Sequence, residues 1–534
     1  MLRALATARF GTLDHLTRWQ DDLLFLRAFP DDDAMHAATG VLLSGIERHV
    51  RRLPAPQRAM TGDSGIAGSV SRHTFAWPIA RWLVASHAGE VRLDWPSMPD
   101  MSLLDGLLRL VVQRAEDDAF ESGEWNAREW MDTARGTQYE SDVSWLVSRG
   151  SASRSAAAFG VMYDAVGVQI RWSLVGSRAA PSNNMLTHTP VHSRRGMRAA
   201  PAAPVRYIAR ALAGIELLPA VRANAVIDVA RAALASRCRE VEAVSWANPA
   251  EVWLADLGEG TAMAIIGTLP ERRLSLECNY AYVLFSNGVP IGYGGVTPLF
   301  LQANAGINIF GAFRHSEAAF DWAQMLRAFH SLFGVKRFVV NAYQFGDGND
   351  EAIASGAFWF YYRVGFRPVD AEARRLAAAE QVQRIANQAY RSPPETLTRL
   401  ASGDMHLTMP GFARREFFDE RWLPVIAANA ARLIAAERVA SADAAVARIA
   451  RRVATTLGAD LRGWSAAERA AFARLAPVVA QLPAVDHWPV RDRRAVVALM
   501  RSKGASQERD FVRMSHAHPR FFRELIAVAR GLHA

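Results

Sequence analysis

Arg314, His315, Ser316 and Glu317 form a polar turn between an alternating run, 306–313, and a run of helical spacing, 318–333. A helix that starts after a strand offers unpaired backbone N–H groups and the positive end of its dipole, a combination suited to phosphate or pyrophosphate. Here those groups would come from about residues 315–319, with Arg314 beside them. Ser316 could add a hydrogen bond, while Glu317 brings a negative charge close to an anion site. An ordinary capped helix with Ser316 or Glu317 in its first turn explains the same residues. Groups able to take a proton, Asp347, Asp350, Glu351 and His315, fall on nearby loops, where turn and cap roles account for them equally well.

The elements that must position this turn are legible around it. The helix 318–333 stops at Gly334, and a β-branched run, 335–343, follows. Strand, helix and strand joined at this length make a right-handed parallel crossover. A loop containing Asp347, Gly348, Asn349 and Asp350 then opens an aromatic helix that ends at Gly365. Upstream, 261–269, 274–286 and 289–300 read as strands, with 366–369 as a last one. Asn287-Gly288 between apolar runs is a strong hairpin signal. Gly292, Gly294 and Gly295 sit inside the returning strand and precede no helix, so they imply a bulge or a close backbone approach, not a phosphate loop.

Taken in order, these residues resemble the GNAT superfamily of acyl-CoA-dependent N-acyltransferases. The likeness rests on the Asn287-Gly288 hairpin with VPIG after it, on GINIFGAF running into the turn at Arg314, and on 360–366, FYYRVGF, which matches the family's FY-x-K-x-GF ending with Arg363 in the basic position. It covers residues 261–370 and implies an α+β domain, a mixed sheet of antiparallel hairpins plus one parallel β-α-β unit. It also implies acetyl-CoA or another acyl-CoA as co-substrate, an amine acceptor and no metal. Phe310, Phe313, Arg314, His315, Ser316, Glu317 and Ala318 are then the cofactor-binding set. Tyr361 aligns with the tyrosine that protonates the departing CoA thiolate in many members, a task open to a phenol of pKa about 10 within reach of the sulfur. Packing between sheet and helices is the other explanation of the aromatic run 358–362. The family's turn follows a Q/R-x-x-G-x-G/A pattern, whereas this chain has His315, Ser316 and Ala318 where glycine is expected. The family also places two helices between its first two strands, and here only 270–273 separate them.

With 534 residues the chain exceeds a single core. It divides into a mostly helical region 1–176, a Pro- and Arg-rich linker or surface arm 177–204, a helical segment 205–260, the sheet domain 261–370, and an all-helical region 371–534. In the first region only 91–95 reads as a strand. No apolar run reaches the roughly 18 residues of a membrane span, and the N-terminal residues lack the pattern of a secretion signal. Net charge is +9, but Lys336 and Lys503 are the only lysines and the arginines are spread over every helix, so nucleic-acid binding is not expected. Cys238 and Cys278 cannot form a disulfide framework and fit a reducing, cytoplasmic setting. The pairs His188/His192 and His516/His518 are poorly spaced for a metal.

Two functions fit this reading. One is an acyl-CoA-dependent N-acyltransferase. The other is a non-catalytic scaffold or ligand sensor whose helical regions bind protein partners.

Overall fold

The computed structural model describes residues 8–187, 190–314, 316–412 and 417–531. The chain is a mixed α+β protein with an open mixed sheet. Near the N-terminus β1 (Val70–His73), β2 (Val91–Leu93) and β3 (Ile170–Ser173) form a small antiparallel sheet in the order β1-β3-β2. Two of these strands were not expected. Trp145, Trp172, Phe75, Phe159 and Tyr163 fill a core of their own around it. Helix α1 (Leu13–Ala28) packs instead on the larger core.

That larger core belongs to a ten-stranded sheet. Its strands are β4 (Ile215–Leu217), β5 (Ala247–Gly258), β6 (Thr261–Thr268), β7 (Tyr280–Ser286), β8 (Val289–Leu299), β9 (Gln302–Ala305), β10 (Asn308–Ile309), β11 (Arg337–Val340), β12 (Arg367–Pro368) and β13 (Met405–Thr408). The order is β12-β13-β11-β9-β8-β7-β6-β5-β4, with β10 paired to β8. β7 and β8 meet at Asn287-Gly288, whose φ angles of 46° and 77° are those of a two-residue primed turn. β9 and β11 run parallel, Gln302 opposite Arg337 and Asn304 opposite Val339, and α2 (Ala318–Phe333) makes the crossover between them. α2 ends at Gly334 in the left-handed region, φ 78°, a conformation that suits glycine.

A continuous strand over 306–313 does not form: β9 ends at Ala305, only the two residues of β10 fall within that range, and 311–313 form a 3-10 turn. The cause is the glycine strand β8. A Cβ at Gly294 would strike the Gly306 carbonyl oxygen, and one at Gly292 would meet Asn308 O at 2.8 Å. Bare backbone on β8 lets 306–309 lie directly against it. Tyr282 Oη then donates to Gly306 O at 2.7 Å.

Strands also arise where helices were expected. The segment 205–260 contains β4 and β5, and β13 lies within the region 371–534. β5 was hidden because Glu251 interrupts its apolar run, yet that carboxylate is fully buried. It accepts hydrogen bonds from Tyr280 Oη at 2.7 Å and Arg273 Nη2 at 3.0 Å. β13 is only four residues long and gains its place by pairing with β11 and β12.

The aromatic helix α3 (Ala357–Val364) comes just before β12, and α4 (Trp422–Ala436), α5 (Ala442–Leu457), α6 (Ala466–Val479), α7 (Val490–Ser502), α8 (Arg509–His516) and α9 (Pro519–Ala529) follow β13. Residues 413–416, within the region expected to be all-helical, lie outside the described residues. The loop after α7 anchors this group to the sheet. Lys503 Nζ pairs with Glu508 at 2.6 Å and donates to the Glu277 carbonyl at 2.7 Å, while Arg273 Nη1 donates to the carbonyls of Lys503 and Ala505. Arg273, Glu251, Lys503 and Glu508 are all fully buried. Burial pushes the Glu251 carboxyl up to about 7 against the pull of Arg273.

Candidate functional site

The first turn of α2 holds Glu317 at its N-cap position. Its carboxylate is 2% exposed and faces the arm 190–204, not solvent. Arg198 donates from its backbone N–H to Oε1 at 2.8 Å and from Nε to Oε2 at 2.7 Å, and Arg194 pairs with the same carboxylate. Burial alone would raise the Glu317 carboxyl, but these hydrogen bonds hold it below its ordinary value. The Arg198 guanidinium also lies 4.2 Å from the Phe320 ring centre. The arm therefore covers the first turn of α2, and both of its arginines here are neutralised from within the chain. The arm is tied down elsewhere too: Asn287 at the hairpin tip accepts from His192 N at 2.9 Å, and Arg194 Nη2 donates to Glu259 O at 2.7 Å.

The remaining members of the expected cofactor set are scattered. Arg314 is exposed and pairs with Glu351 at 3.0 Å. His315 lies outside the described residues, as does His188. Ser316 Oγ is buried without a hydrogen-bond partner among the described residues. Ala318 is the first residue of α2. Phe313 is fully buried and meets Phe29 edge-on at 6.4 Å. Phe310 packs on Tyr293 at 5.3 Å, with the Arg237 guanidinium 4.1 Å from its ring centre.

One residue that matters here went unread in the sequence. Asp321, one turn after Glu317, is fully buried, and neither of its carboxylate oxygens has a hydrogen-bond partner among the described residues. Burial pushes it up to about 7, with Glu317 adding to the rise and Arg198 and Arg194 opposing it. The signal was available: position 321 falls on the same helical face as Met325 and Ala328, both buried.

Tyr361 sits on α3 and is 3% exposed. Trp322, Phe345, Phe360 and Phe366 surround it with ring centres 5.2–6.2 Å away. Burial pushes its phenol well above its ordinary value. Of the loop acids, Glu351 is engaged by Arg314, and Asp350 lies in the first turn of the short helix Asp350–Ser355. Cys278 is buried and its thiol is pushed up by burial, which disfavours the nucleophilic thiolate.

A large cavity lies elsewhere, under α4. It measures about 800 Å³ and is walled by α4, α5 and α6 and floored by 274–277. α4 is an apolar helix in which Ile426 is the one buried residue. Six of the lining residues are alanines, Ala427, Ala430, Ala431, Ala447, Ala470 and Ala473, so three helices border an open-sided space that larger side chains would fill. Leu276, Ile426, Ile434, Val446 and Val478 add apolar wall, and Glu277, Asp443 and Arg474 are the charged members.

Among the described residues no group of three or more His, Cys, Asp or Glu side chains could hold a metal ion, and no helix is long and apolar enough to cross a membrane. Comparison of the chain with known protein families, curated proteins and solved structures gives no match.

Proposed function

We propose that this protein is a non-catalytic, GNAT-like scaffold that senses a ligand, with binding carried by its helical regions. The observation that carries this reading is the Glu317 carboxylate held by Arg198 and Arg194 at the start of α2. An acyl-CoA pyrophosphate needs open N–H groups and free cations at that turn. Here the arm lies over the turn, its Arg194 and Arg198 are spent on Glu317, Arg314 pairs with Glu351, and Asp321 adds a second buried carboxyl one turn on. These residues do not fit the cofactor that the sequence resemblance implies. Tyr361, enclosed by four rings, supports a packing role in the same way.

One observation favours the acyltransferase reading instead. The parallel pairing of β9 with β11 stops at Asn304 and Val339, while 308–309 continue along β8, so the two strands part beside the start of α2. In that reading acyl-CoA enters there, an amine attacks its thioester carbonyl, and Tyr361 returns a proton to the CoA thiolate. The arm would have to leave, breaking both arginine pairs of Glu317.

Isothermal titration with acetyl-CoA and with longer acyl-CoAs separates the two. The scaffold reading expects no binding heat from any of them. Micromolar binding of one, lost in Arg314→Ala, would replace it with the acyltransferase reading.

A further inference from the structure

The cavity under α4 has a specific chemistry. Its walls are apolar over most of their extent, and the polar groups that reach it are mainly acceptors. The Glu277 carboxylate has no ion pair or hydrogen bond among the described residues. Lys503 makes no ion pair with it: the ammonium pairs with Glu508 at 2.6 Å and reaches Glu277 through its backbone carbonyl, so its charge only partly offsets the rise that burial gives the Glu277 carboxyl. Asp443, in the first turn of α5, also has no cationic partner among the described residues.

The helical backbone supplies a third acceptor. Pro477 lies inside α6 and lines the cavity, and it has no N–H to give to the carbonyl of Ala473, which also lines the cavity. The one cation on the wall, Arg474, is spent on backbone, donating to the carbonyls of Arg273 and Pro270. Further acid stands behind the Glu277 end. Glu420, just before α4, is pushed up to about 7 by burial and by Glu277 itself. Ser275 adds a hydroxyl that can donate or accept. An apolar volume with two carboxylates on its wall and its one cation already engaged calls for a ligand with an apolar body and a donor-rich, positively charged head.

We propose that the cavity binds a long-chain aliphatic amine, its alkyl chain against the alanine-rich faces of α4, α5 and α6 and its ammonium group at the Glu277 carboxylate. The proposal rests on the reading that the helical region, not the sheet, does the binding. An alkyl chain fits because it needs no partners along its length. An ammonium fits because it carries three donors and one positive charge, which the Glu277 carboxylate can meet. An alkyl carboxylate of the same length would set two like charges together at Glu277.

The test is displacement of a neutral apolar fluorophore, N-phenyl-1-naphthylamine, from the full chain by dodecylamine, dodecanol and dodecanoate below their aggregation thresholds. Dodecylamine is expected to bind about tenfold more tightly than dodecanol, as a charge-assisted contact warrants, with dodecanoate weakest. Added salt should narrow that gap. In Glu277→Gln the amine should fall to the level of the alcohol, with the alcohol unchanged. Ala431→Trp, at a solvent-accessible position on the cavity wall, should exclude the fluorophore while leaving the circular dichroism spectrum intact. Equal binding of alcohol and amine, tighter binding of the carboxylate, or an amine preference that survives Glu277→Gln would each overturn the proposal. So would absence of fluorophore binding to the wild-type chain. None of these results touches the sheet, where acyl-CoA binding at α2 would remove the scaffold reading.

Discussion

Arg198 and Glu317 are 119 positions apart in sequence, yet the Arg198 backbone N–H and its guanidinium both donate to the two oxygens of one buried carboxylate. The pair fastens an irregular arm to the start of the crossover helix. It also closes the place where an anionic ligand would meet that helix.

Removing one partner should therefore be costly. Glu317→Ala leaves Arg194 with a side chain 3% exposed and no counter-charge from that carboxylate. A loss of about 3 kcal/mol is expected from breaking a buried pair, read by urea unfolding. Arg198→Ala together with Glu317→Ala should cost less than the sum of the two single changes.

Asp321 makes stability depend on pH in a defined direction. Its folded-state value, about 7, lies above its ordinary value of 3.8, so between these the folded chain holds a proton that the unfolded chain has lost. Stability therefore falls as pH rises from about 4 towards 7, and levels off above it. Asp321→Asn removes this dependence. The variant's melting temperature should match wild type near pH 4 and exceed it at pH 8.

The buried group around Lys503 should behave as a dock for the C-terminal helices. Lys503→Met leaves Glu508 buried without its nearest cation, Arg273 being 3.9 Å away. A cost of about 3–5 kcal/mol is expected. Adding Glu508→Leu should recover part of it, because an apolar pair can replace a buried ion pair at little cost. Limited proteolysis should cut the single variant ahead of the double one in the 503–509 loop.

Tyr361 separates packing from chemistry. Tyr361→Phe keeps the four ring contacts and should change stability by no more than about 1 kcal/mol. Tyr361→Ala opens a cavity in the core and should cost about 3–5 kcal/mol. A transferase activity abolished by Tyr361→Phe at unchanged stability would contradict the scaffold reading.

What the sequence determined on its own is local. α2 runs from Ala318 to Phe333 and stops at Gly334, and the hairpin turns at Asn287-Gly288, because helix stops and two-residue turns are written in adjacent residues. The glycines of β8 announced a close backbone approach for the same reason, since the missing Cβ is a property of the residue itself. Tertiary structure decided the rest. β5 is a strand because its neighbours β4 and β6 pair with it, and its buried Glu251 is tolerable only because Tyr280 and Arg273 arrive from other segments. The carboxylate at the mouth of α2 looked like a first-turn acid near an anion site, and became the anchor of an arm more than a hundred residues away. The cavity under α4 depends on how three alanine-rich helices settle against one another. Periodicity along the chain identifies a helix's apolar face, but the space left between three such faces is set only when they pack.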